Sequence, residues 1–415
     1  MDSSKTSILV SGALIAGISI TLVVQTLLKC QKKSGPGFFK RLCCSNSSTE
    51  LEQLPPPWLR VKDGEEIKVG VEGLIGETPL VLIRSLSRET KCRILAKVEF
   101  LNPGGSTKDR VGKGLIKEAE GSGLLVPHQG YTVYEGTVGS TGISLAMICR
   151  ARGYNCHIVM PDDQAEEKYS ALRALGATVE KVRPASIVDP GHFVNVARAR
   201  AAANEKGFFA NQFENLANFT THQTTTGREI LRQTGGNIDA FVAGAGTGGT
   251  LSGVAHCLKE RSNNIIIALA DPQGSGLYHK VEHGTLYTPE QSEGSRRRHQ
   301  VDTVVEGVGM TRLTDNLLAG FDHIDMATSV TDQQAVSMSR FLMANDGFFV
   351  GSSSAVNCVA AVRLAKKLGP GSTVVTLLCD SGSRHGTKFW SDSALETNFN
   401  LTSAIPTSLD FVGDF

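Results

Sequence analysis

From about Val61 onward, short apolar runs rich in β-branched residues alternate with stretches whose apolar positions recur every three to four residues. "RILAKVE" reads as a strand. Past the turn cluster Asn102, Pro103, Gly104 and Gly105, a helix is predicted over Asp109 to Ala119, with Ser106 or Thr107 as its cap. "TVYEGTV" leads into a helix at "STGISLAMICRARG", and "NCHIVMP" leads into "QAEEKYSALRALG". "ATVEKV", "GFFANQF" and "IDAFVAGAG" repeat the alternation, "NIIIALADP" follows, and "AVNCVAAVRLAKKLG" precedes "STVVTLLCDSG". Strands alternating with amphipathic helices predict an α/β fold of parallel sheets covered by helices. In such folds ligands bind at the carboxyl ends of strands, where the glycine-rich and hydroxyl-rich segments of this chain fall. The stretch Val281 to Val301, with "PEQSEGSRRRHQ", breaks the rhythm and reads as a surface insertion.

The first residues follow another pattern. Ser7 to Leu28, "SILVSGALIAGISITLVVQTLL", carries no charge, and its roughly 22 residues match a bilayer span. Lys5 precedes it, and Lys29, Lys32, Lys33, Lys40 and Arg41 follow, so the positive-inside rule places the rest of the chain in the cytosol. A cleaved signal peptide, a matrix presequence and a buried core helix are the competing readings. The expected organisation is an anchor over 7–28, a Ser-, Pro- and Gly-rich linker over 29–60, a catalytic domain over 61–395 with its N-terminal lobe at about 95–210, and a tail over 396–415.

The total of 415 residues suits two lobes. With 42 basic against 41 acidic residues and no basic stripe, there is no electrostatic case for nucleic acid. Nine scattered cysteines without paired C-x-x-C spacing read as reduced thiols, and neither a disulfide framework nor a metal site is expected. His222 and His256 lack a paired ligand and read as ordinary helix residues.

Two segments carry candidate chemistry. Lys108 falls at a tight turn and at the positive end of a helix. Shielded there from water, a lysine has a depressed pKa and becomes a better nucleophile, as Schiff-base chemistry requires; a surface lysine is the plain alternative. "FVAGAGTGGTLSG" runs from a strand into a helix, where backbone N–H groups can hold a phosphate. Gly244, Gly246 and Gly249 spell G-x-G-x-x-G, and Asp271 ends the next strand, so on pattern alone a dinucleotide competes with a phosphate monoester. The hydroxyls of Thr247, Thr250 and Ser252 favour the monoester.

"KVEFLNPGGSTKDRVGKGLI" resembles the signature of the fold-type II pyridoxal-phosphate enzymes of the cysteine synthase and cystathionine β-synthase family. "LIGETPLV", "GAGTGGTLSG", "SVTDQQAV", "VGSSSAVNCVAA" and "TLLCDSGSRH" fall in the family's order, over roughly Val61 to Trp390. The resemblance implies a tryptophan-synthase-β-like fold with two parallel or mixed sheets, and pyridoxal 5'-phosphate as cofactor. It assigns cofactor attachment and catalysis to Lys108. It assigns the phosphate to Gly246, Thr247, Gly248, Gly249 and Thr250, the ring hydroxyl to Ser140, and the pyridine nitrogen to Ser381, where a neutral hydroxyl favours β-elimination and β-replacement. The substrate carboxylate is assigned to Thr137, Val138, Gly139 and Thr141, with Gln212.

Two positions depart from the family. Relatives usually carry asparagine at Ser140, and serine or threonine at Val138. The implied reaction is β-replacement forming L-cysteine from O-acetylserine or serine and sulfide, by a homodimer. A cystathionine β-synthase-like or cysteine desulfhydrase-like reaction is the alternative, and a catalytically decayed, membrane-tethered binding protein is a further one. The haem-ligand stretch and C-terminal regulatory pair of the animal cystathionine synthases are not expected. The anchored layout resembles fungal cysteine-synthase-like proteins of the mitochondrial outer membrane, which implies that location with the catalytic domain facing the cytosol; the endoplasmic reticulum is the alternative.

Overall fold

The computed structural model describes residues 66–287 and 303–415. The expected anchor over 7–28, the linker over 29–60 and the "PEQSEGSRRRHQ" stretch lie outside the described residues. Among the described residues, no helix is long and apolar enough to cross a membrane.

The strands are β1 (Leu80–Leu82), β2 (Arg93–Val98), β3 (Thr132–Gly136), β4 (Asn155–Pro161), β5 (Thr178–Val182), β6 (Gly207–Phe209), β7 (Ala240–Ala243), β8 (Ile266–Pro272), β9 (Met326–Val330) and β10 (Thr373–Leu378). They form a six-stranded sheet in the order β1-β2-β10-β7-β8-β9 and a four-stranded sheet in the order β5-β4-β3-β6. Every pairing is parallel except that of β1 with β2. The helices that bear on the site are α1 (Lys108–Gly121), α2 (Ser140–Arg152), α3 (Glu166–Ala174), α4 (Gly249–Arg261), α5 (Asp332–Asp346) and α6 (Ser352–Leu368).

Period-two alternation builds the larger sheet. Ile94, Ala96 and Val98 of β2 pack on one face with Val374 and Leu378 of β10 and with α5 and α6. Leu95, Phe241, Ile267, Val375 and Leu377 pack on the other face, against Leu251, Val254 and Leu258 of α4. Helix α6 is buried without a break from Ser352 to Ala365, as a helix with little charge along its first three turns must be. The smaller sheet packs its core against α1 and α2, through Val111, Leu115, Leu145 and Ile148.

Two elements differ from the sequence reading. "DMATSV" forms the edge strand β9, although its alternation is too short to stand out. "NFTTHQTTTGREILRQTG" is one helical run interrupted by a π-turn over His222–Thr226, a form often found at functional sites. Asp271 is the penultimate residue of β8, and its Oδ2 accepts from the Tyr278 amide at 2.7 Å; this serves the turn after the strand rather than a ribose.

Candidate active site

The parallel pairing of β10 with β2 sets Leu378 beside Val98, so the loops leaving both strands emerge together. The Thr107 amide donates to the Cys379 carbonyl at 3.0 Å, and Ser106 bridges Asp380. Helix α1 begins one residue earlier than predicted, at Lys108. Neither Ser106 nor Thr107 caps it through the expected side-chain bond; the Ser106 hydroxyl instead accepts from the Lys108 amide at 3.3 Å. Asp109 holds the turn. Its carboxyl accepts from the Gly104 amide at 2.6 Å and from the Ser144 hydroxyl of α2 at 2.5 Å. Gly104 must lack a side chain, because a Cβ there would lie 2.4 Å from Asp109 Oδ1.

Lys108 opens onto a cavity of about 230 Å³. Its Nζ makes no hydrogen bond or ion pair among the described residues. Burial pushes the amine below its ordinary pKa, while the nearby Cys379 and Asp380 pull the other way. The positive end of α1 acts with burial.

A second wall is the start of α4. Gly246, Thr247, Gly248 and Thr250 line the cavity; Gly249 stands behind them as the first residue of the helix. The first N–H groups of a helix have no carbonyl one turn back, and no side chain caps these. Gly248 sits at φ +85°, and a Cβ there would approach Leu317 Cβ to 2.4 Å. The loop hydroxyls are tied into the protein: Thr247 Oγ1 accepts from Asn218 Nδ2 at 2.8 Å, and Thr250 Oγ1 lies 3.1 Å from His222 Nε2. His222 is buried, and burial holds its imidazole well below the usual range, so it is neutral.

The third wall is the start of α2. Thr137, Val138, Ser140 and Thr141 line the cavity, and Gly139 lies at the helix N-cap without lining it. Gln212 joins them, its Oε1 accepting from the Thr141 hydroxyl at 2.5 Å. Ser140 Oγ accepts from Arg384 Nη1 at 3.3 Å, and the same guanidinium reaches the Gly104 carbonyl. The structure thus brings Lys108, the glycine loop, the α2 start and Gln212 around one space.

It does not bring Ser381 there. The backbone of Ser381 bridges Val350, and its hydroxyl meets the Phe349 carbonyl at 3.5 Å and the Ser383 hydroxyl at 3.1 Å. The hydroxyl that lines the cavity at the start of α6 is Ser353. It lies within the quoted "VGSSSAVN", whose three successive serines leave the inward one undecided.

Sequence reading also missed a buried charge network on the cavity wall. Lys168 of α3 reaches Glu306 Oε2 at 2.5 Å, across from the larger sheet's side. Glu306 lies 3.4 Å from both His385 Nδ1 and Lys388 Nζ, and His385 Nε2 contacts Asp380 Oδ2 at 3.0 Å. Burial pushes the Glu306 carboxyl up, but Lys168, His385 and Lys388 outweigh it and hold it well below the usual range. Burial disfavours the His385 imidazolium, but Asp380 and Glu306 outweigh it and raise its pKa to about 9. "CDSGSRH" contains two of these residues, yet their partners are distant in sequence.

An unpartnered amine at one end of the cavity and an uncapped glycine-rich helix start at another fit an aldehyde carrying a phosphate. The family profile described as pyridoxal-phosphate-dependent enzyme matches residues 71–380, so the chain belongs to that family. Its α/β architecture with one mixed and one parallel sheet is that of the fold-type II members, and pyridoxal phosphate is its cofactor. Cysteine synthase 2 of Schizosaccharomyces pombe is 57% identical over 366 residues, covering 85% of this chain and 92% of that protein. A Saccharomyces cerevisiae protein provisionally named a mitochondrial cysteine synthase is 53% identical, over 80% of this chain and 87% of its own. The solved O-acetylserine-dependent cystathionine β-synthase of Helicobacter pylori superposes with a TM-score of 0.67 at 31% identity, covering 78% of this chain and 99% of that one.

Proposed function

We propose that this enzyme forms L-cysteine by β-replacement, taking O-acetylserine or serine as the amino acid and sulfide as the nucleophile. The observation that carries the reading is the Lys108 amine, unpartnered and depressed in pKa, facing the same cavity as the starts of α2 and α4. Cysteine synthases of high identity support the substrate class. Pyridoxal phosphate, when bound, supplies an electron sink that lets an amino acid lose its α-proton and its β-substituent. The remaining roles belong to the chain. Gly246, Thr247, Gly248, Gly249 and Thr250 hold the phosphate with backbone N–H groups at the positive end of α4. Lys108, its amine held below its ordinary pKa by burial, would attach the cofactor and serve as general base for the α-proton. Thr137, Val138, Gly139 and Thr141, with Gln212, hold the α-carboxylate at the start of α2. Ser140 and Ser353 line the cavity and would contact the cofactor's ring, Ser353 being proposed for the role that the resemblance assigns to Ser381.

The test is cysteine formation from O-acetylserine and sulfide by the purified enzyme, set against serine or homocysteine in place of either substrate. Cystathionine as the faster product would move the assignment to a cystathionine β-synthase-like reaction. Release of sulfide from cysteine as the dominant turnover would move it to a desulfhydrase.

The uncharged stretch over 7–28 serves as a single-pass anchor in the mitochondrial outer membrane, the catalytic domain over 61–395 facing the cytosol. The yeast relative's name supports the organelle. Protease added to intact mitochondria should remove the catalytic domain; protection would refute this topology. The enzyme works as a homodimer, for which light scattering of the detergent-solubilised protein is the check.

A further inference from the structure

Glu135 is the penultimate residue of β3; its side chain is fully buried, and it does not line the cavity. A carboxyl there is costly, because an apolar residue of similar size would need no hydrogen-bond partners. Both of its oxygens accept hydrogen bonds. Oε2 accepts from the Gln212 amide at 3.2 Å, and Oε1 accepts from Gln212 Nε2 at 3.3 Å. The neighbouring residue Asn211 is held at φ +57°, a left-handed conformation, and its side-chain oxygen is buried without a partner. A left-handed residue followed by an N–H aimed at a carboxylate is a backbone nest. The strain at Asn211 is of a kind that persists only where the surroundings fix it.

The outcome is a fully oriented Gln212. Its Nε2 donates to Glu135 and also to the Gly136 carbonyl at 3.1 Å, leaving its Oε1 to accept from the Thr141 hydroxyl at the start of α2. Burial raises the Glu135 carboxyl to about 8 against these donors; its two oxygens face both Gln212 N–H groups, and together with the Gly136 carbonyl, which can only accept, they fix which way the Gln212 amide points. We infer that Glu135 is a positioning residue of the amino-acid subsite, acting through Gln212 and Thr141 on the substrate's α-carboxylate. The inference rests on the reading of Gln212 and the α2 start as that subsite.

Glu135→Gln tests it with little change of size. Whichever way the new amide turns, its NH₂ faces one of the two Gln212 N–H groups. Binding of L-serine to the holoenzyme is measured by calorimetry, and KM and kcat are measured for the amino-acid substrate, alongside Gln212→Ala and the double variant. The expected result is an affinity for L-serine weaker by about tenfold and a KM raised by about the same factor, the loss of one well-placed hydrogen bond. The kcat stays within about twofold, cofactor absorbance is retained, and the double variant is no worse than the weaker single one. Unchanged L-serine affinity in Glu135→Gln with a real loss in Gln212→Ala overturns the inference alone. So does a fall in kcat with affinity intact, or losses that add in the double variant. Unchanged affinity in Gln212→Ala overturns the subsite reading and the inference with it. If Glu135→Gln does not fold, Glu135→Asp carries the same test, because its shorter carboxylate cannot reach both N–H groups.

Discussion

The Thr107 amide and the Cys379 carbonyl are joined at 3.0 Å, tying the residue before Lys108 to the residue just beyond β10. The start of α1 is therefore not a free loop end but an extension of the central pairing of β10 with β2. Asp109 completes the arrangement from the other side through Gly104 and Ser144. Asp109→Asn places an amide NH₂ against one of those two donors. The expected cost is about 1–3 kcal/mol of stability, with a fall in turnover as Lys108 loses its fixed post. Urea denaturation and kcat measured on the same preparation check both; an active variant of unchanged stability contradicts the role.

Among the described residues, the Lys108 amine makes no hydrogen bond or ion pair. Lys108→Ala is expected to abolish turnover and the visible absorption of the bound cofactor. The melting temperature of the cofactor-free protein should be unchanged or higher, because an unpartnered, desolvated amine has been removed. A lower melting temperature of the cofactor-free variant would show that the amine has a stabilising partner.

The buried charge network gives stability a particular dependence on pH. His385 is raised from 6.5 to about 9, burial being outweighed by Asp380 and Glu306. The folded state therefore holds a proton that the unfolded state releases above 6.5. The stabilisation is complete below that pH and is lost as pH rises through about 9. Asp380 and Glu306 contact the imidazole, Lys168 acts on it in the opposite sense, and Lys388 reaches it only through Glu306. Unfolding free energies of the wild type and of His385→Gln, measured by urea across this window, should converge towards its alkaline end. A constant difference between the two would place the His385 charge elsewhere.

Two residues beyond Lys108, Arg110 binds two carboxylates. Its Nε and Nη2 reach Glu99 at 2.8 and 2.9 Å, and Nη1 and Nη2 reach Glu229 at 2.6 and 2.8 Å. Arg110→Ala leaves Glu99 buried without its cation, and Glu229 with Lys97 alone at 2.6 Å. The expected loss is about 3–5 kcal/mol, read by chemical denaturation. Arg110→Lys should recover only part of it, since an ammonium cannot fork to two carboxylates.

The two serines separate what the sequence suggested from what the fold arranges. Ser353→Ala is expected to shift the absorption of the bound cofactor, and Ser381→Ala to leave it in place. The reverse pattern would mean that the 379–385 loop turns over when the cofactor binds.

Most of the fold could be read from alternation alone, because β2, β4, β8 and β10 are long enough to declare a period. The three-residue strand β1 and the weakly patterned β9 are not; their place comes from neighbours in the sheet rather than from their own residues. Lys108, the glycine loop and the α2 start were legible because each lies at a strand-to-helix junction, where local chemistry and backbone geometry coincide. Ser353 lines the cavity whereas the Ser381 hydroxyl lies 3.5 Å from the Phe349 carbonyl, and nothing local in the sequence distinguishes the two serines. The Lys168, Glu306 and His385 contacts were invisible for another reason. A charge pair between residues 138 apart in sequence leaves no periodicity to find.

Asn218 donates to the Gln212 carbonyl at 2.9 Å and to Thr247 Oγ1 at 2.8 Å, so one amide spans the distance between the carboxylate-binding corner and the glycine loop. Coupling of this kind is reciprocal in free energy. Whatever factor an anion in the glycine loop adds to amino-acid affinity, the amino acid must return to the anion, and both factors should collapse towards one when Asn218 is replaced by alanine.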